Sequence, residues 1–153
     1  MKVSETTPRK IFGEKRAYTV PLFQRRYAWK EKNFAQLWSD IEALVDGTQK
    51  RHFMGTIVLQ GSLSTNKQRS VIDGQQRLAT FTIFLKVLHS QSKFYSPNQS
   101  RILYNRLWSV GQPRFNASLN DGDSFTYLLE NPALLKSRSH GQVKSCYDYF
   151  DEK

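Results

Sequence analysis

The sequence predicts an α+β fold, a small sheet with packed helices followed by a helical extension. Three stretches carry that expectation. Phe34, Leu37, Trp38, Ile41 and Leu44 recur at spacings of three and four, the stripe of an amphipathic helix over 33–46. His52 to Gln60 is apolar and β-branched, as a strand is. Ser70-Val71-Ile72 makes a second, shorter strand. Asp73-Gly74 breaks it, and a helical pattern runs on from Gln75 to His89 with Leu78, Phe81, Thr82, Leu85 and Leu88 on its inner face.

The remaining elements follow in chain order. Residues 1–16 are polar and basic without a period and predict a flexible basic arm. Val20-Pro21-Leu22-Phe23 is expected to be extended, because the residue before a proline avoids the helical region. Asn33 is placed to cap the first long helix and Gly47 to end it. Gly61 to Arg69 reads as a loop and residues 91–99 as a linker. Ile102, Leu103, Leu107 and Trp108 give residues 100–110 a helical spacing. Residues 111–124 read as loop, with room for a short strand at Arg114-Phe115. Ser124 to Glu130 and Val143 to the end are two short helices, the second with Tyr147 and Phe150 on one face. That helix reaches Lys153 without a cap, so the chain is expected to be a piece of something longer. No repeat, heptad or low-complexity tract is visible.

Composition narrows the function classes. Of 153 residues 39% are hydrophobic, with 10 Phe, 7 Tyr and 3 Trp, enough for a core and too much for a disordered chain. No apolar run approaches the roughly 18 residues of a membrane span, and MKVSETTPRK lacks the apolar stretch of a signal peptide. A soluble cytoplasmic protein with no membrane partner is expected. Cys146 is the single cysteine, and His52, His89 and His140 lie far apart. Neither a disulfide nor a zinc, haem or flavin site is expected. A net charge of +10 favours an anionic partner, nucleic acid first, against the plainer reading of a basic surface that binds nothing.

Val71-Ile72-Asp73-Gly74-Gln75-Gln76-Arg77-Leu78 reads as strand, tight turn and helix start. Gly74 permits the turn, and the first free N–H groups of the helix then point beyond the strand, where a phosphate is attracted. Asp73 is placed to cap the helix or to hold a divalent cation such as Mg²⁺. Arg77 opposes the helix dipole at a cost on the order of 0.3–1 kcal/mol. A bound phosphate would reverse that sign; the plainer reading pairs Arg77 with Asp73 or leaves it in water. Phe23-Gln24-Arg25-Arg26-Tyr27-Ala28-Trp29 sets two arginines and a glutamine among aromatics. Phosphate contacts and base stacking are one reading; aromatics in the core and solvated arginines are the other. The core is favoured for Trp29 and Tyr27 is left open. His52, starting a strand, suits a phosphate donor or acid/base, though such a histidine is more often structural.

These three segments, in this order, resemble the DUF262 family, the ParB/sulfiredoxin-like N-terminal domain of GmrSD-type modification-dependent restriction systems. The family pattern appears as Val20-Pro21-Leu22-Phe23-Gln24-Arg25-Arg26-Tyr27-Ala28-Trp29, then a helix with Leu37, Trp38, Asp40 and Ile41. His52-Phe53-Met54-Gly55-Thr56-Ile57 and Ile72-Asp73-Gly74-Gln75-Gln76-Arg77-Leu78-Ala79-Thr80 complete it. Phe23 stands where Tyr is usual, and Ala79 where Thr is common. The match covers about residues 18–90, and 91–153 follow only as a looser helical continuation. The resemblance implies a ParB/sulfiredoxin-like core over 17–90, a nucleotide site at the turn and helix start, nucleoside triphosphate hydrolysis, and a role in restriction or phage defence. Nuclease chemistry is implied in a C-terminal or partner HNH domain, for which residues beyond 90 show no paired metal-ligand spacing.

Three readings follow. In the first, a nucleoside triphosphate binds with Mg²⁺. The amides of Gly74, Gln75 and Gln76 and the Arg77 side chain hold phosphates, and Asp73 holds the metal or orients water. Gln24 and Arg25 close the pocket from the opposite loop, Arg25 steadying charge as phosphate leaves. His52 adds a further phosphate contact. In the second, the same basic pocket docks DNA phosphates or a modified base without turnover. The third is an assembly scaffold whose pocket has decayed, which the full set of Gln24, Arg25, Asp73, Gln75, Gln76 and Arg77 argues against. A nuclease in this chain itself is disfavoured, since no second acid stands near Asp73 to hold a metal pair. An oligomer is compatible with all of these.

Overall fold

A computed structural model describes residues 3–61 and 68–153. Helix α1 (Pro8–Ile11) is a single turn capped by Thr7, whose hydroxyl accepts the Lys10 N–H. Strand β1 (Ala17–Thr19) leads into a loop, and α2 (Glu31–Val45) follows. Next come β2 (Val58–Gln60), β3 (Gln68–Asp73) and the long helix α3 (Gln75–Tyr95). Helix α4 (Pro97–Leu107) is followed by β4 (Trp108–Ser109), β5 (Gln112–Pro113) and β6 (Phe115–Asn116). Helix α5 (Gly122–Glu130), a 3-10 turn at Pro132–Leu134 and α6 (Ser137–Asp151) close the chain. The architecture is α+β. No helix among the described residues is long and apolar enough to cross a membrane.

The sheet runs β2-β3-β1-β6. β1 lies parallel to both β3 and β6, and β2 lies antiparallel to β3 with a register shift at Val58/Leu59. Tyr18, Val71 and Phe115 bury one face of the sheet against Leu78, Ile83 and Val87 of α3. α6 adds Val143, Cys146 and Phe150, and α2 adds Phe34 and Leu37. Phe150 gathers the helical layer: its ring centroid lies 5.1 Å from Phe84, 6.2 Å from Phe34 and 6.3 Å from Trp38.

Several local expectations change. The segment 1–16, expected as a flexible arm, carries α1 and plants Phe12 in the core at 3% exposure. Its carbonyls are held from afar, Arg9 by Arg106 and Glu14 by Arg114. Leu22 and Phe23 turn rather than extend, with Gln24 N–H donating to the Pro21 carbonyl, and the strand lies just upstream at β1. Asn33 sits inside the first turn of α2; its side chain accepts the Lys30 N–H, and Gly47 follows the helix at φ +80. Only the end of 52–60 is strand, because Gly55 at φ +97 breaks the extended run. Of the loop expected at 61–69, residues 62–67 lie outside the described residues, and Gln68 and Arg69 already belong to β3.

No linker separates the helices at 91–99. α3 runs to Tyr95, and α4 begins at Pro97 after a bend at Ser96, whose hydroxyl accepts the Gln99 N–H. The polarity of that stretch reflects exposure, not lack of structure. The chain beyond 91 is helical as expected, yet it also returns β6 to the sheet and Phe125, Leu128 and Phe150 to the core.

Two predictions follow. Val110 and Gly111 join β4 to β5 with φ of +51 and +74, the left-handed pair of a tight hairpin. A β-branched residue is strained there, and Val110 is exposed. Val110→Asn should stabilise by about 1 kcal/mol, raising Tm by about 2–4 °C in a calorimetric scan. Lys86 is buried on α3 with its ammonium donating to the Leu129 carbonyl at 2.7 Å. Burial, with Lys93 nearby, pushes it down to about 8 from 10.5. Between those values the unfolded chain binds the proton more tightly, so stability rises as pH rises through that window. Urea midpoints from pH 8 to pH 10 should climb in the parent and stay flatter in Lys86→Met.

Candidate functional site

Gly74 makes the entire connection between β3 and α3, at φ +87. A Cβ there would lie 2.9 Å from the Ile57 side chain and 3.0 Å from the Thr56 carbonyl, so only glycine permits this close passage. The exposed Asp73 carboxylate accepts the Gly74 N–H at 2.7 Å. No side chain caps the helix and no acid stands in its first turn. The first intrahelical donor is the Leu78 N–H, to the Gly74 carbonyl, so the amides of Gln75, Gln76 and Arg77 precede the helix ladder.

The loop 24–28 lies against this helix start and is held by side-chain amides. Gln75 donates to the Arg25 carbonyl at 3.1 Å, and Gln76 donates to the Arg26 carbonyl at 3.1 Å. The other end of the Gln76 amide accepts the Ala28 N–H at 2.8 Å. Gln24 reaches back to the Ile72 carbonyl at 3.0 Å. The site therefore uses the glutamine side chains as clamps on backbone, leaving only their main-chain amides for a ligand.

Tyr27 is 6% exposed, and its hydroxyl donates to that of Thr80 at 2.7 Å, which in turn donates to the Gln76 carbonyl. It is a core residue and offers no stacking platform. Burial raises its phenol well above the ordinary range, so it stays protonated. Trp29 packs partly buried against the core, while Arg25 and Arg26 remain exposed.

Asp121 completes the arrangement. It is 9% exposed at the start of α5, accepts the Tyr27 N–H at 2.6 Å and pairs with Arg26 at 3.6 Å. The sequence marks it only as one acid in a polar turn; Tyr27 lies 94 positions upstream.

Arg77 faces the other way, because side chains two positions apart on a helix point to nearly opposite sides. Its guanidinium donates to the Thr56 carbonyl at 2.8 Å and lies over Gly55, where a Cβ would fall 2.5 Å from Nε. Neither Asp73 nor any other carboxylate among the described residues pairs with it. A backbone carbonyl thus supplies part of the negative charge that its place in the first turn needs. His52 pairs with Asp40 of α2, Nε2 to Oδ2 at 3.1 Å.

The cleft between loop 24–28 and α3, lined by Arg25, Gln75, Gln76 and Asp121 among others, holds about 10 Å³, room for about one water. Among the described residues no three His, Cys, Asp or Glu side chains gather as a metal site. Asp73 fits Mg²⁺ only as one carboxylate beside water and phosphate oxygens, a coordination that ion commonly takes.

The family described as "GmrSD restriction endonuclease, N-terminal domain" matches residues 9–153. The chain belongs to this family, which places it in a DNA restriction and phage-defence system. No curated protein matches it.

Gln76→Ala removes two bonds to the loop and leaves the Ala28 N–H without its acceptor. A loss of about 2 kcal/mol is expected by urea unfolding. Limited trypsin digestion should also cut faster after Arg25 and Arg26, whereas an unchanged cleavage rate there would contradict the clamp.

Proposed function

We propose that this domain binds a nucleoside triphosphate with Mg²⁺ at the turn between β3 and α3. Binding or hydrolysis would gate a nuclease domain of the HNH type, in the same protein or a partner. The observation that carries the reading is the amino end of α3: a glycine connection, no side-chain cap, no acid in the first turn, and an arginine instead. The amides of Gln75 and Gln76 would face the phosphates, and the Arg77 guanidinium would have to swing from the Thr56 carbonyl to reach them. Mg²⁺ would neutralise charge between phosphates, with Asp73 as its protein ligand. Exposed Arg25 would offset charge on the departing phosphoryl group. Because the cleft holds about one water, the ligand enters as loop 24–28 lifts and the bonds from Gln24, Gln75 and Gln76 are exchanged. His52 would stay paired with Asp40 and is assigned no phosphate contact in this reading.

A second reading, docking of DNA phosphates without turnover, is favoured by the net charge of +10 and by exposed Arg25 and Arg26.

A thermal-shift screen against the four ribonucleoside triphosphates, with and without Mg²⁺, separates the two. A nucleotide at 100 times its Kd should stabilise by about 2.7 kcal/mol, raising Tm by about 5–10 °C. Phosphate release should need the metal, vanish in Asp73→Ala, and be abolished in Arg77→Ala with the circular dichroism spectrum retained. DNA retention that falls steeply with salt, with no nucleotide shift and no phosphate release, would establish the second reading instead.

A further inference from the structure

We propose that the basic face at the opposite end of the sheet from the Gly74 turn holds the phosphate backbone of double-stranded DNA. Arg9, Lys10, Lys15 and Arg16 of the amino-terminal segment, Arg106 of α4 and Arg114 just before β6 build it.

Long-range bonds bring these residues together. Arg106 donates to the Arg9 carbonyl at 3.1 Å. Arg114 donates to the Asn105 carbonyl at 2.8 Å and also to the Glu14 carbonyl. Arg16 pairs with the Glu14 carboxylate at 3.2 Å. Arg106 and Arg114 thus hold main chain, while the side chains of Arg9, Lys10 and Lys15 stand exposed. With Phe12 in the core, the segment presents its cations from an anchored backbone, so binding orders little more of the chain.

Two observations show that this charge lacks a counter-charge. The first is the distribution of acids. Between Asp73 and Asp121 the sequence has no Asp or Glu, and up to Arg16 it has only Glu5 and Glu14. Among the described residues no carboxylate pairs with Arg9, Lys10, Lys15, Arg106 or Arg114. The second is Arg114 itself. It is 7% exposed, and its hydrogen-bond partners are carbonyls, not a carboxylate. Burial, then the neighbouring Arg106, push its guanidinium below the ordinary value, as desolvation and crowding by like charge do. A buried cation without an anion is costly, and a polyanion laid across the face offsets that cost.

Among polyanions, DNA is indicated by the restriction family to which the chain belongs. A duplex carries one charge per about 1.7 Å of axis, which suits several cations spread over one face. Cation contacts to phosphate carry no base information, so this face would hold any sequence. The proposal is independent of the nucleotide reading. Gln68 pairs with Ala17 at the start of β3, next to Arg16, and Gly74 follows the other end of that strand, about 16 Å away at roughly 3.3 Å per residue.

The test is binding of a fluorescein-labelled duplex of about 20 base pairs and arbitrary sequence, followed by anisotropy from about 50 to 200 mM NaCl. Affinity should fall steeply with salt in the parent. Arg9→Gln/Lys10→Gln/Lys15→Gln removes three exposed cations and leaves in place the carbonyls that Arg106 and Arg114 hold. It should bind at least about tenfold more weakly at the lowest salt, and its slope of log K against log salt should shrink by about 2.7, with Tm unchanged. Lys32→Gln/Lys50→Gln/Arg51→Gln lowers the net charge by the same three at exposed positions elsewhere and should stay within about twofold of the parent. Any thermal shift produced by a nucleotide should be the same in both triple variants, which keeps this proposal separate from the one at the turn. Equal weakening in both triple variants, parental binding in the first, or loss confined to Arg25→Gln/Arg26→Gln overturns the proposal. So does binding to phosphatidylglycerol vesicles with none to the duplex.

Discussion

Gln76 joins α3 to loop 24–28 with both ends of one amide, and the arrangement of the site depends on that bridge. A loop that shows two arginines to solvent has little apolar material with which to hold itself down. Its backbone donors and acceptors must still be paired where they are covered. The amides of Gln24, Gln75 and Gln76 meet that need, and Tyr27 and Asp121 anchor the loop's middle. On the other side of the helix start, Gly74 lets the turn pass close against Thr56 and Ile57.

Arg77 and Gln76 divide the work of the helix start. One turns toward the loop before α2, the other toward the segment before β2, so two irregular stretches distant in sequence are tied to one helical turn. Removing either tie would loosen the outer layer over the turn while the sheet and α6 kept the core. Low local stability beside a site is the property a ligand-responsive element needs.

The basic balance of the chain has a spatial counterpart. Few ion pairs neutralise it among the described residues, and Arg25, Lys93 and Arg101 stand exposed at opposite ends of α3. A helix with cationic side chains near both ends suits anionic partners better than it suits a neutral surface.

The sequence by itself determined the elements whose signals are local. The stripe of α2, the β-branched run of β3, the glycine turn and the start of α3 each sit within a few residues, and their periods or breakers are readable there. The residues of the candidate turn were legible for the same reason. Tertiary structure alone decided the rest. The short strand expected at Arg114-Phe115 forms at Phe115–Asn116, but its place beside β1 in the sheet is set only by the closed chain. Asp121 is an ordinary turn acid until Tyr27 arrives from 94 positions away, and Arg77 has no visible partner until Gly55 and Thr56 fold over it. Periodicity reports which way a residue faces within its own element. What it meets there is set by chain closure over long separations, and nothing local in the sequence encodes that.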